Sequence, residues 1–505
     1  MAETKREIER KYEATGGTEL PDLTRVPGVA SVVDDGVMEL DAVYHDTPDL
    51  RLAADGVTLR RRTGGSDAGW HVKFPVAAGI RDEIRAPLSD TLPDALAGLL
   101  RSRVRAADVV PAVHLHSSRD VRRLLAPDGT LLAELSVDTV HAESLLGGGE
   151  ASWTEIEVEL ADDTDDETIL DAIEKRLKKA DIAPSNAPSK LARALEETGA
   201  APRPPTTPGK PGTAGAAVLG YVREQIEAIV ALDPAVRRDL PDAVHQLRVA
   251  CRRLRSAFKT YRAVLDRDVT DPLGEELKWL AGELGAARDQ EVLTERLRAA
   301  LDEVPKTLRL GPVRARLRIW TAARAADARR RAVDALDSDR HLALLEALDA
   351  LLADPPLRKA ARRDAPKVLS RAVLKDHDRL AGRVDDALAL DPGHERDLAL
   401  HAARKAAKRA RYAADAARPT LGKPAKKLAK RVKAVQSLLG EHQDAVVARA
   451  TLRELAIQAH AAGESAFTWG LLHGREEAAA AEQERELPAV WARASAPGIR
   501  AALSR

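Results

Sequence analysis

The chain has 505 residues, enough for more than one domain, and its 79 Lys and Arg balance 79 Asp and Glu. Overall basicity therefore cannot explain an affinity for anions; only local segregation of charge can. Aromatic residues are 3% of the chain and charged residues 31%, so its cores must come from Ala, Leu and Val, which favours helix over much of its length. Cys251 is the single cysteine, which excludes an intramolecular disulfide and fits a reducing compartment. The first ten residues have no apolar signal core, and no run reaches the ~20 apolar residues of a membrane span, so a soluble cytoplasmic protein is expected.

In chain order, strand signals come first. Runs at 5–13, 37–45, 57–62, 70–74, 80–87, 113–125, 131–140 and 153–160 are separated by turn signals such as Asp55-Gly56, Gly64-Gly65 and Asp128-Gly129. Helices are expected near 94–104, 167–180 and 190–198. Eight mostly antiparallel strands with few helices predict a barrel or a curved sheet.

Alternate side chains of a strand share a face. Glu7, Glu9 and Lys11 then point one way, and Ile8, Arg10 and Tyr12 the other. The same period aligns Arg60 with Arg62, His71 with Lys73, and Arg81, Glu83 and Arg85 together. Further on it aligns Glu134 with Asp138, and Glu155 with Glu157 and Glu159. Strand after strand has one charged face. Two architectures explain this: a half-exposed sheet with its charges in water, or a sheet closed with its charges inward around a wet tunnel. Both signs are present in quantity, so a bound metal and a polyanion would satisfy such a lumen.

The motifs resemble the CYTH family, the triphosphate tunnel metalloenzymes. Glu7-x-Glu9-x-Lys11 is similar to the family's ExExK strand, and Tyr44-His45-Asp46-Thr47 to its Tyr/Phe-x-Asp-Thr segment. Gly56 to Arg62 resembles Gly-x-x-Leu-Arg-x-Arg. Val72-Lys73 falls at the Thr-x-Lys strand, with His71 in place of threonine. Arg81-Asp82-Glu83, Glu155-Ile156-Glu157 and Ser189-Lys190 follow in the family's order, over about residues 1–200. The resemblance implies an eight-stranded antiparallel tunnel that hydrolyses a triphosphate with Mg2+ or Mn2+. It assigns phosphate oxygens to Lys11, Arg60, Arg62, Lys73, Arg85, Arg119 and Lys190. It assigns metal to Glu7, Glu9, Glu155 and Glu157, with Asp138 in support. Glu7, Glu9 and Lys11 form the expected catalytic strand. Such chemistry is mainly charge neutralisation and positioning, and needs no Ser-His-Asp or Cys-His set.

A Pro/Gly-rich connector, 199–216, follows the first domain at 1–198 and precedes a helical region at 217–505. Pro234, Pro241, Pro272, Pro305, Pro355-Pro356, Pro392 and Pro424 divide this region into helices suited to a bundle. Within it, His245, Arg248, Arg252, Arg253 and Arg255 recur as His401, Arg404, Lys408, Arg409 and Arg411. Offsets from the histidine are 0, +3, +7, +8 and +10 in both copies, with no acid between histidine and last arginine. At ~100° per residue, offsets 0, +3, +7 and +10 span an arc of about 80°, a single basic stripe. Leu284-Gly285 to Asp289 recurs as Leu439-Gly440 to Asp444, with the glycines 40 and 39 residues after their histidines. Two related helical units, about 217–336 and 371–483, are expected to face their stripes on a shared channel, with the 426–433 basic run as a further wall.

A stripe of this kind attracts phosphate generically. Only Phe258, Tyr261 and Tyr412 lie near it for stacking on bases, which disfavours nucleic acid and suits a linear inorganic polyanion. This half resembles the CHAD domain, over about residues 210–500, and the resemblance implies a helical domain that binds inorganic polyphosphate. The pairing of CYTH with CHAD is itself a known arrangement. The expected function is hydrolysis of inorganic triphosphate, or a related triphosphate, in the tunnel, coupled to polyphosphate binding. The alternative is a non-catalytic protein targeted to polyphosphate granules. An adenylate cyclase, another CYTH activity, ranks last because the sequence presents no clear adenine pocket. Oligomeric state is left open by the sequence.

Overall fold

The computed structural model describes residues 3–65, 67–162, 164, 166–202 and 210–504. They form two compact units, Met1–Pro205 and Thr206–Arg505. Of the Pro/Gly-rich connector, residues 203–209 lie outside the described residues, and Ala214 already begins a helix.

The first unit has eight strands: β1 (Glu3–Ala14), β2 (Ser31–Asp46), β3 (Thr58–Thr63), β4 (Gly69–Ala77), β5 (Ile80–Pro87), β6 (Val110–Leu125), β7 (Leu131–Ser144) and β8 (Glu150–Leu160). They close into an antiparallel barrel ordered β1-β5-β4-β3-β2-β6-β7-β8, with β8 returning to β1. Every expected strand is present, and most run longer. β2 begins at Ser31 rather than Val37, because Asp34-Asp35-Gly36 is a β-bulge and not a turn. The register with β6 shifts between Asp34 and Gly36, and Gly36 takes φ 82°.

Four helices accompany the barrel: α1 (Arg51–Ala54), α2 (Asp94–Val104), α3 (Thr168–Lys178) and α4 (Lys190–Glu197). α1 and α2 share one apolar face, and α3 and α4 each cover another. α2 packs Leu96, Leu99 and Leu100 on Leu59, Trp70, Val72 and Ile84, from the outer faces of β3 to β5. α3 packs Leu170, Ile173 and Leu177 on Ile8, Tyr12, Ile156 and Val158. Each such fully buried side chain contributes about 1.5–3 kcal/mol. α4 instead packs Leu191, Ala194 and Leu195 on Ala42, Tyr44, Leu115, Val140 and Trp153. By strand alternation these residues face inward, so α4 seals one end of the barrel. Ser189 caps α4 by accepting the Ala192 N–H, which places Lys190 in the first turn, directed at the lumen.

The second unit is helical: α5 (Ala214–Arg237), α6 (Ala243–Thr260), α7 (Arg267–Glu283), α8 (Gly285–Asp302), α9 (Val313–Asp337), α10 (Asp339–Ala353), α11 (Ala365–Leu388), α12 (His394–Leu421), α13 (Lys423–Ala461), α14 (Phe467–Ala494) and α15 (Pro497–Ser504). The duplication is visible in the helix order. α5 and α6 correspond to α11 and α12, and the broken pair α7–α8 to the continuous 39-residue α13. Not every proline is a boundary. Pro234 and Pro272 lie inside α5 and α7, where tertiary packing offsets the lost ladder bond, and Pro424 sits in the first turn of α13. Leu247, Leu254, Leu277, Leu380, Val432 and Leu439 belong to one core shared by both halves of the repeat.

Candidate functional site

The lumen of the barrel is a cavity of about 760 Å³. Glu7, Glu9 and Lys11 line it from β1, Arg60 and Arg62 from β3, Lys73 from β4, Arg85 from β5, Arg119 from β6, Glu157 from β8 and Lys190 from α4. On the outer side of β1, Arg10 pairs with Glu174 and Asp171 of α3. The charged faces thus turn inward, and the charges neutralise one another in two groups.

The first group surrounds Glu7 and Glu83. Lys73 Nζ lies 2.5 Å from Glu7 and 3.4 Å from Glu83, Arg60 3.5 Å from Glu83, and Arg85 pairs with Glu83 and lies 3.9 Å from Glu7. His71 bridges the Glu83 carboxylate and the Asp67 carbonyl, each at 2.8 Å. Burial raises the Glu7 pKa. Glu83, fully buried, is absent from the expected site residues, although its place between Arg81 and Arg85 on one strand face is the signal that points to it.

The second group surrounds Glu157. Lys11 pairs with Glu157 and lies 3.3 Å from Glu9. Lys190 Nζ reaches Asp138 and Glu155 at 2.9 Å and Glu157 at 2.5 Å. Arg119 donates to Asp138 at 2.7 and 2.9 Å and to Glu157 at 2.8 Å. Burial opposes ionisation of Glu157, yet Lys11, Lys190 and Arg119 hold it well below the ordinary carboxylate range; against the same burial, Lys190 and Arg119 hold Asp138 below its usual value. Arg62 pairs with the Asp67 carboxylate, while burial, with Arg60 and Arg119 beside it, pushes its guanidinium down to about 9.

Asp138, Glu155 and Glu157 each offer one carboxylate oxygen within 4.8 Å of the others. Glu155 Oε1 is buried against the Lys190 ammonium at 2.9 Å, while Trp153 Nε1 holds Oε2 at 2.6 Å. A converging, all-oxygen set of three carboxylates fits a hard divalent cation. The Lys190 ammonium sits on those oxygens in this structure. The five expected metal ligands therefore divide: Glu9 belongs with this group through Lys11 at 3.3 Å and through Glu157 and Lys190, with Lys73 of the other group also acting on it, and Glu7 belongs with the Glu83 group.

In the second unit, α6 packs on α12 and brings the stripes together. Arg248, Arg252, Arg404 and Lys408, the +3 and +7 positions of both copies, crowd one another. Burial, then Arg404, Arg252 and Arg248, push the Lys408 ammonium down to about 7. Burial, then Arg288, Arg252 and Arg248, hold His245 below the usual histidine value, and burial, then Lys405, Arg404 and Lys408, do the same for His401. The Nε groups of Arg248, Arg252, Arg253, Arg255, Arg404 and Arg411 are buried with no acceptor. Each such donor costs ~1–3 kcal/mol unless an acceptor arrives.

The remaining stripe positions do different work. Arg409, at +8 and outside the arc, is 2.9 Å from Asp376 and donates to the Lys259 carbonyl at 2.6 Å. Arg253 and Arg411 flank the Tyr412 ring at 6.0 and 4.8 Å, and Arg255 lies 3.3 Å from Glu275. His401 donates to Gln443 Oε1 at 2.5 Å. Lys426, Lys427, Lys430, Arg431 and Lys433 are exposed on α13.

The fold and its charges define a class: a closed antiparallel tunnel lined by cations and carboxylates, followed by a duplicated helical unit with a paired basic stripe. Comparison with known proteins places it further. A CYTH domain matches residues 5–195 and a CHAD domain residues 220–453. Two uncharacterised proteins of Mycobacterium tuberculosis, from strains CDC 1551 / Oshkosh and ATCC 25618 / H37Rv, are each 39% identical over 498 residues, covering 95% of this chain and 94% of theirs. The chain belongs to the family in which a CYTH domain is followed by a CHAD domain. Among solved structures, PptA from Streptomyces chartreusis is 24% identical, with a TM-score of 0.47 over 55% of this chain and 99% of its own. The CHAD domain from the plant Ricinus communis is 28% identical, with a TM-score of 0.46 over 58% of this chain and 96% of its own. No described helix is long and apolar enough to cross a membrane.

Proposed function

We propose that the tunnel hydrolyses inorganic triphosphate, or a related triphosphate, and that the helical unit binds inorganic polyphosphate. The observation that carries this reading is the lumen itself: seven cationic side chains, Lys11, Arg60, Arg62, Lys73, Arg85, Arg119 and Lys190, converge on one cavity with buried carboxylates beside them. Without a ligand, Lys11, Arg119 and Lys190 rest on Glu157, Glu155 and Asp138. Triphosphate oxygens offer these cations a stronger set of partners. As the cations turn to the substrate, Glu9, Asp138, Glu155 and Glu157 are freed to hold Mg2+ or Mn2+. Bound there, the ion would supply charge neutralisation at the phosphoryl oxygens and activation of a water. Arg60 and Lys73, poised by Tyr44, Glu83 and Glu7, orient the phosphate chain. The buried, unpaired stripe donors offer a polyphosphate chain a ready set of partners, and tethering raises its concentration near the tunnel.

The test is phosphate release from tripolyphosphate with Mg2+ or Mn2+, wild type beside the Glu7→Ala/Glu9→Ala variant. Metal-dependent release that the variant loses supports catalysis in the tunnel. One observation favours a second reading, a non-catalytic polyphosphate-binding protein at polyphosphate granules: the candidate metal ligands are already neutralised by Lys11, Lys190 and Arg119. Tight polyphosphate binding with no release from tripolyphosphate would select that reading.

A further inference from the structure

A cluster outside both candidate sites joins three helices of the second unit. His442 of α13 sits between Asp397 of α12 and Glu484 of α14. His442 Nε2 is 3.3 Å from Asp397 Oδ1 and 3.3 Å from Glu484 Oε1. The imidazole is 2% exposed, and the two carboxylate side chains are 18% and 13% exposed.

From these contacts we infer a divalent transition-metal site of the zinc class, with His442 Nε2, Asp397 Oδ1 and Glu484 Oε1 as its protein ligands. Three observations carry it. First, 3.3 Å lies beyond the usual ~2.7–3.2 Å of an N–H···O hydrogen bond, and one Nε2 proton cannot serve two carboxylates well. It matches the edge of a tetrahedron whose metal–ligand bonds are about 2.0–2.1 Å, which is about 3.3 Å. Second, each carboxylate directs one oxygen at His442 and gives the other to an arginine. Arg449 donates to Asp397 Oδ2 at 3.0 Å, and Arg396 Nε lies 3.0 Å from Glu484 Oε2. Outer partners that orient ligating carboxylates are how metal sites are supported. Third, the cluster is not part of the duplicated anion machinery. In the first copy, the positions equivalent to Asp397 and His442 are Pro241 and Ala287, four residues before the histidine and two after the glycine.

One imidazole and two carboxylates suit a borderline divalent ion such as Zn2+ or Co2+, and three protein ligands leave a position for water. The ion ties α12, which carries half of the basic stripe, to α13 and α14.

The full chain, stripped with EDTA, would be titrated with Co2+. The expected result is the intense visible absorption of four-coordinate Co2+, saturating at one equivalent and bleached by Zn2+. The tunnel's cation-fitting group, Asp138, Glu155 and Glu157, offers carboxylate oxygens only, whose six-coordinate Co2+ absorbs weakly, so the two sites are separable. His442→Ala should abolish the intense band. No such band in the wild type, or a band that survives His442→Ala, overturns the inference. If His442→Ala loses its helical circular dichroism, Asp397→Asn decides by the same criterion: loss of the band with folding retained supports the site, and an unchanged band overturns it.

Discussion

Arg248 passes over Gly285, with its Nη2 3.1 Å from where a Cβ at that position would stand, and continues to Asp289 at 3.0 Å. Arg404 repeats the arrangement over Gly440, at 3.7 Å, toward Asp444, also at 3.7 Å. The repeated glycines are therefore the floor on which the stripe's +3 arginines lie. Their asymmetry makes a prediction. Gly285→Ala forces Arg248 to shift by a few tenths of an ångström and should weaken polyphosphate binding a few-fold. Gly440→Ala adds an ordinary contact inside a helix, should leave binding unchanged, and should raise stability by about 0.5–1 kcal/mol. Parallel binding and denaturation measurements on the two variants check both halves.

Polyphosphate affinity should fall as pH rises above neutrality. Lys408 is held at about 7 in the free protein by burial and by Arg404, Arg252 and Arg248. A bound polyanion reverses that field, so the pKa in the complex is higher and binding takes up a proton between the two values. Below pH 7 Lys408 is already charged and its contribution is flat; above it, affinity drops by up to about tenfold per pH unit until the bound pKa is passed. His245 and His401, held below 6.5, contribute in the same sense at lower pH. Binding isotherms at fixed ionic strength, with Lys408→Arg as comparison, test this: the substitution should remove the fall above neutrality and spare any rise on acidification.

Glu7 and Glu9 should separate kinetically, because one strand face delivers them to different groups. Glu9→Gln alters the group that fits a cation and should raise the Mn2+ concentration needed for half-maximal phosphate release by more than about tenfold. Glu7→Gln releases Lys73 and should change kcat/KM for tripolyphosphate with little change in metal requirement. Equal metal dependence in the two variants would contradict the division.

Lys190→Met removes the ammonium shared by Asp138, Glu155 and Glu157. Leaving buried carboxylates without their partner should destabilise the barrel unit by about 3–5 kcal/mol. Mn2+ should then raise the variant's Tm more than it raises the wild type's, since the ion takes the place the lysine leaves. Thermal melts with and without Mn2+ check this.

The barrel carries its own pH signature. Asp138 and Glu157 are held below their ordinary pKa values by Lys190, Lys11 and Arg119. Their contribution to stability is complete above the unfolded values near 4–4.5 and is lost as pH falls through the folded ones. Glu7, raised by burial, acts in the opposite sense. Acid unfolding of wild type beside Asp138→Asn should show a shallower decline in the variant.

Period alone determined the strand faces. Glu7, Glu9 and Lys11 stand opposite Ile8, Arg10 and Tyr12 in the barrel because alternation is a local property of an extended backbone. The helical spacing of the basic stripe, and its recurrence, were equally local. What one face meets is not local. Whether the charged faces turned outward to water or inward to each other depended on β8 pairing with β1, a closure between residues far apart in sequence. Only that closure put Glu83 in the lumen and divided Glu7 from Glu9. Packing of α6 on α12 likewise set Lys408 among arginines and turned Arg409 to Asp376. His442 meets Asp397 and Glu484 because three helices converge. Periodicity assigns a residue to a side of its element; long-range packing, through burial and the charges it brings near, decides its partners and its protonation.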